Sequence, residues 1–150
     1  MDIIKGFYSL ANEYCCFIST AEITEDSLST LMELLMKLYV LAANLPDAEP
    51  DTIECLTAGE VDISPIKFSN QILRFYWEVF DPYEKDEPVC GDLLDDLSDI
   101  AKDLKKGIAE YEAGRTGNAI NEWKFGLYNH YGSHIVDALR ALHTARTRNI

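Results

Sequence analysis

Histidine is absent from the first 129 residues of this 150-residue chain, and its three imidazoles all fall within HYGSHIVDALRALH, residues 130 to 143. Other absences exclude whole classes of protein. The longest mainly apolar stretch, Leu31 to Leu45, is interrupted by Glu33, Lys37 and Asn44, too short and too polar to span a bilayer. The opening MDIIKGFYSLANEYCC has an acid at position 2 and no apolar segment followed by a small-residue cleavage site, so no secretory signal is expected. Cysteine is sparse (Cys15, Cys16, Cys55 and Cys90), with no C-x-x-C pair to suggest a zinc knuckle or redox motif. Free thiols in a reducing cytoplasm are the simplest expectation, and the spacing of Cys55 and Cys90 gives a shared metal site no support. Basic residues are scarce: 13 Lys and Arg stand against 26 Asp and Glu, a net charge of −13. Such a surface repels a phosphate backbone, so neither nucleic acid nor membrane is expected as a partner.

The acids are concentrated. PDAEPDTIECLTAGEVDISP carries six acids and no base, and residues 81 to 103 carry nine acids against Lys85 and Lys102. The tail reverses the sign, with Arg140, Arg146 and Arg148 and no acid after Asp137. Strong acidity keeps a protein soluble; a basic protein partner is the sharper alternative. At 47% apolar and 26% charged residues, the composition is that of an ordinary folded domain.

Apolar residues recur with the period of a helix, and no segment alternates strictly enough to predict a strand. A first helix is expected from about Asp2 to Ser19, with Phe7, Leu10, Ala11, Tyr14 and Ile18 on one face. A second follows Thr24 as N-cap, carries the stripe Leu28, Leu31, Leu35, Leu38, Ala42 and Leu45, and ends at Pro46. An acidic connection then leads to a third helix, opened by Ser64-Pro65 and closed before Asp81-Pro82, whose aromatics Phe75, Tyr76, Trp77 and Phe80 read as core. Asp92 caps a fourth helix ending near Gly114. A fifth starts at Thr116 or Asn118 and reaches the 140s. The sequence therefore predicts an all-α fold without sheet, a single antiparallel bundle of about five helices in one domain over 1–150.

On the fourth helix, Leu93, Leu97, Ile100, Leu104 and Tyr111 form the apolar face, while Asp92, Asp96, Asp99 and Asp103 form a narrow stripe beside it, with Asp95 just beyond. The fifth repeats the plan: Trp123, His130, His134 and Asp137 flank a face of Ile120, Leu127, Tyr131, Ile135, Ala138 and Leu142. A short turn makes the pair a hairpin, in which His130 and His134 come level with the gaps between Asp96, Asp99 and Asp103. Either the stripes meet across the hairpin or both turn outward. Gly126 and Gly132 bracket the histidines, which implies close approach by a neighbour or a helix break near Gly132. His143 stands apart as an exposed residue near the helix end.

If the stripes meet, three chemistries compete. Asp–His hydrogen bonds form a polar layer that fixes helix register. Alternatively Asp96, Asp99, Asp103, His130, His134 and Asp137 supply ligands for a divalent metal, since His at i and i+4 present two nitrogens on one face; H-x-x-x-H-x-x-D is nevertheless not the Glu-x-x-His signature of di-iron bundles. Or Asp95, Asp96, Asp99 and Asp103 hold magnesium for phosphate chemistry, with Lys102, Lys105 and Lys106 turned to other sides of the helix.

The segments FYWEVFDPYEKDEPVCGDLLDDLSDIAKDLKKG and NEWKFGLYNHYGSHIVDALRALH resemble a bacterial family of helical domains of unknown function. Its pattern has a Y-W-x-x-F-D-P element, then D-D-L-x-D-I-x-x-D-L, a tryptophan, and H-W-G-x-H-x-x-D-A-L-R-A-L-H, with Tyr131 here at the second tryptophan. The match covers about residues 75 to 143; the first 70 residues are similar only in being helical. The resemblance implies a cytoplasmic helical protein and singles out Asp95, Asp96, Asp99, Asp103, Trp123, His130, His134 and Asp137, but no activity. The functions left open are a binding or interaction module with a polar Asp–His layer, a metal-dependent hydrolase using that layer, and an acidic inhibitor of a basic partner.

Overall fold

The computed structural model describes residues 2–54 and 61–150. Helix dominates it. Asp2 opens α1 (Ile3–Thr20), its carboxylate accepting the Ile4 N–H at 3.0 Å. A capping box between Thr24 and Ser27 closes a 3-10 turn over Glu25–Ser27 and launches α2 (Leu28–Ala43). Phe7, Leu10, Ala11, Tyr14 and Ile18 of α1 and Leu28, Leu31, Leu34, Leu35, Leu38 and Ala42 of α2 are buried, matching the faces expected from periodicity.

Asp92 caps α3 (Leu93–Glu112) by accepting the Leu94 N–H at 3.0 Å, and Gly114 turns the chain with φ +78°. The chain runs back along α3 as α4 (Thr116–Asn129) and α5 (Tyr131–Arg148). A fifth helix reaching the 140s is expected, with a break near Gly132 as one reading of its glycines; the break is there, two residues earlier, at His130, whose backbone lies at φ −151°, ψ −84°. The two glycines make this break fit. A Cβ on Gly126 would lie 2.8 Å from the Tyr131 ring, and one on Gly132 would lie 2.0 Å from the Leu127 carbonyl oxygen. α3 packs against α1, α4 and α5, and the buried apolar side chains of all five helices belong to one cluster.

Two further expectations fail. Sheet is present, as two small two-stranded pieces, so the fold is mostly helical rather than all-α. β1 (Glu22–Ile23) pairs in parallel with β2 (Lys67–Phe68), and β3 (Phe75–Glu78) pairs antiparallel with β4 (Val89–Asp92). The helix predicted from Ser64 to the Asp81-Pro82 step is therefore not formed: β2, a 3-10 turn over Gln71–Leu73 and β3 occupy its place. The run FYWEVF is rich in aromatic and β-branched residues that suit a pleated, half-buried surface, and it has a partner strand across a turn. Its aromatics are not core. Phe75, Trp77 and Phe80 are exposed, and of that cluster Tyr76 alone packs inward.

The β3–β4 hairpin is fixed to the start of α3. Arg74 Nε donates to Asp92 Oδ1 at 2.8 Å and its Nη2 to Asp92 Oδ2 at 2.6 Å, and the Leu93 N–H donates to the Arg74 carbonyl at 2.8 Å. The acidic connection after α2 has no regular structure in its described part but is tied down. Asn118, buried near the start of α4, accepts the Asp51 N–H at 2.8 Å and donates to the fully buried Glu110 at 3.3 Å. Residues 55–60, including Cys55, lie outside the described residues. Cys15, Cys16 and Cys90 are free thiols.

Candidate functional site

The two stripes meet. Strand β3 sends Phe75 and Trp77 outward and turns Tyr76 and Glu78 inward, toward the flank of α3 that carries the aspartates. Gly91, opposite Tyr76 across the hairpin, gives that ring its place: a Cβ there would lie 2.5 Å from the phenol Cζ. The phenol then donates to Asp96 Oδ2 at 2.6 Å.

Each aspartate of the layer has a distinct partner on each oxygen. Asp96 meets His134 Nδ1 through Oδ1 at 2.8 Å and Tyr76 through Oδ2. Asp103 meets His130 Nδ1 through Oδ2 at 2.6 Å and accepts from Lys106 at 2.8 Å through Oδ1. Asp99 accepts from Lys102 at 2.8 Å through Oδ1 and brings Oδ2 to 3.7 Å from His134 Nε2. Lys102 and Lys106 thus fold back onto the stripe by i, i+3 pairing, contrary to the expectation that they turn away. Asp96 and Asp103 are buried, and full pairing is what makes two buried carboxylates tolerable.

With both Nδ1 atoms held by carboxylates, each imidazole keeps Nε2 for another partner. The rings stand edge to face with centroids 4.9 Å apart. Asp99, His130 and His134 each offer a ligand atom within 4.8 Å of the other two. A cleft of about 280 Å³ opens beside them, lined by His130, His134, Asp96, Asp137, Glu78 and Phe80 among others.

Asp137, one turn along α5 from His134, sits outside that trio and shares a hydrogen bond with Glu78. Burial, reinforced by the neighbouring Asp137 charge, pushes the Glu78 carboxyl up to about 7, and burial likewise raises Asp137. His134 is raised above its ordinary value because Asp96 accepts its Nδ1–H, with burial opposing.

The remaining candidates lie elsewhere. Asp95 is exposed and lines a different cleft with Asp62 and Lys102, which leaves the four-aspartate magnesium arrangement without one member. Trp123 is fully buried; its indole N–H donates to the Leu104 carbonyl at 3.1 Å and its ring lies against Gly107, where a Cβ would come within 2.2 Å. His143 is exposed and apart from the layer, as expected. Sequence reasoning missed Glu78 and gave Tyr76 the wrong role. The signal was present: Tyr76 and Glu78 are two apart in a β-prone run, hence on one face of a strand.

Fold and site together define a mostly helical protein in which a β-hairpin closes over a histidine–carboxylate layer. The chain belongs to the family described as "Domain of unknown function (DUF5063)", which it matches over residues 1–148. Protein BF1032 from Bacteroides fragilis, known from a crystal structure, shares the fold: the TM-score is 0.66 at 21% identity, covering 97% of this chain and 96% of that one. No curated protein matches the chain. Among the described residues, no helix is long and apolar enough to cross a membrane.

Proposed function

We propose that the protein is a cytoplasmic metal-binding module, a single antiparallel helical bundle that holds one divalent cation between Asp99, His130 and His134. A single observation carries this reading: both imidazoles give Nδ1 to a buried aspartate, and Asp99, His130 and His134 each still bring a ligand atom within 4.8 Å of the other two. A carboxylate behind each ligating histidine is the usual outer shell of a metal site, fixing tautomer and ring orientation. Two imidazoles and a carboxylate suit zinc, or iron and manganese in their divalent states. Three protein ligands leave a coordination position open toward the cleft, the arrangement of catalytic rather than structural sites, so metal-assisted hydrolysis is the activity to test first.

The test is metal analysis of untagged protein purified without chelator, followed by calorimetric titration with Zn2+. About one equivalent of ion is expected, lost in His134→Ala and in Asp99→Ala. At 100 times the dissociation constant the ion should stabilise the fold by about 2.7 kcal/mol. If zinc, iron and manganese neither copurify nor raise the melting temperature, the layer is a register-fixing hydrogen-bond network and no metal centre.

A further inference from the structure

Independently of the metal reading, we propose that the free edge of β3 docks an extended peptide segment of no net charge, which adds as a third strand in the cleft between β3 and α5. The pairing of β3 with β4 leaves one edge of β3 open. Phe75 lies opposite Asp92 and Glu78 opposite Val89, and the Leu93 N–H donates to the Arg74 carbonyl at 2.8 Å. Hydrogen-bonding residues alternate along an antiparallel ladder, so Tyr76 and Glu78 direct their main-chain N–H and C=O groups toward β4. Phe75 and Trp77 direct theirs the other way, and among the described residues nothing bonds to them there.

That edge faces a cleft of about 420 Å³. All four residues of β3 line the cleft and none of β4 does, so it opens at the side of the strand rather than over one face. The far side is α5, which presents Arg140, Ala141, Thr144 and Arg148 from one helical face. A groove bounded by a strand edge and a helix admits one strand at the sheet spacing of roughly 4.8 Å. The β3 of a second copy would arrive with β4 attached and meet α5. The shape therefore selects a linear segment over a folded sheet.

The lining also selects its charge. Two carboxylates, Glu78 and Asp137, stand against two guanidiniums, Arg140 and Arg148, so the cleft is balanced in a chain of net charge −13. A strongly charged partner of either sign gains little there. A peptide main chain is uncharged and offers donors and acceptors at alternate residues, the complement of the open edge. Ile72, Phe75 and Trp77 stand 69%, 56% and 73% exposed along the rim, an apolar border for the apolar side chains of such a strand. No lysine, proline or bulge guards β3, although these are the usual devices that keep an open edge unpaired.

The full chain is panned against a phage-displayed library of random linear heptapeptides, and the most enriched peptide is synthesised. Selection and titration are run in EDTA, so a failure of the metal reading leaves the result untouched. Saturable binding is expected by calorimetry, with hydrogen exchange of the Phe75 and Trp77 amides slowed and that of α1 and α2 unchanged. N-methylation of every second peptide amide, the set facing β3, should weaken binding about fivefold per group, the scale of one main-chain hydrogen bond. The intervening amides should tolerate the same change. Trp77→Pro removes an outward N–H without touching the ladder to β4 and should abolish binding, whereas Trp77→Val keeps that N–H and should weaken it less. The N-methyl series probes the same bonds on the unaltered protein, so it decides the question even if Trp77→Pro does not fold. The proposal is overturned if no peptide is enriched, if N-methylation acts equally at every position, or if the Phe75 and Trp77 amides exchange as fast with peptide bound.

Discussion

The two flanks of α3 do opposite things with the same helix. On one, Leu93, Leu97, Ile100, Ala101 and Leu104 are fully buried, Tyr14 donates to the Leu97 carbonyl at 3.0 Å, and Trp123 lies over Gly107. On the other, Asp96, Asp99 and Asp103 are each held by named donors on both sides. The first flank is stabilised by volume and contact, which are non-directional and indifferent to pH. The second is stabilised by pairing, so its stability depends on geometry and protonation. The dry flank therefore tells how the chain folds, and the paired flank carries the candidate site.

This contrast breaks most readily at Trp123. Trp123→Ala should cost about 3–5 kcal/mol in urea unfolding, through a cavity against α1 and α3, while leaving zinc stoichiometry unchanged. A variant that stayed stable but lost metal would move Trp123 to the paired flank. Leu35, fully buried on α2, belongs with the dry side: Leu35→Ala should cost about 2–5 kcal/mol, read as a shift in the urea midpoint. On the paired side, Tyr76→Phe removes a donor from buried Asp96 and should cost about 1–3 kcal/mol, less than either cavity.

The smallest effect is the one peculiar to the paired flank. Glu78, raised from an ordinary 4.5 to about 7 chiefly by burial, and His134, raised above 6.5 chiefly by Asp96, both hold protons more tightly in the folded chain. The stability each adds is complete below its unfolded value and is lost as pH rises through its folded one. Melting temperature should therefore begin to fall above about pH 4.5, as Glu78 starts to titrate, and go on falling past pH 6.5, where His134 joins it. Glu78→Gln should flatten part of that slope, whereas Leu35→Ala should shift the whole curve without changing its shape. A Glu78→Gln profile parallel to the wild type would show that the pair with Asp137 does not titrate in this window.

The dry flank was legible in the sequence because burial imprints its period directly. Phe7, Leu10, Tyr14 and the leucines of α2 recur at helical spacing, and Thr24, Asp92 and Gly114 mark helix ends by known capping chemistry. The Asp96–Asp99–Asp103 stripe and the level of His130 and His134 were also readable, because a short-turn hairpin fixes register by counting. That the stripes meet was not, since hairpin handedness is decided by packing. The β3 hairpin was missed for a local reason: Ser64-Pro65 imitates a helix start, and a run of six mostly aromatic residues suits either period. Residues of α3 and α5 were thus seen as a site before Tyr76 and Glu78, the side chains that cover it.

The interruption at His130 has a mechanical consequence. H-x-x-x-H usually places two imidazoles on one rigid rod, but here the first stands on the joint between two rods and the second on the rod beyond. The distance between their Nε2 atoms is then a gauge of the angle at that joint. An ion bridging them would act as a clasp, slowing hydrogen exchange of the amides from Leu127 to Ser133 while leaving α1 and α2 unaffected. Gly132→Ala would press a methyl group onto the Leu127 carbonyl and force the joint open, so the clasp would lose its second jaw although no ligand had been replaced.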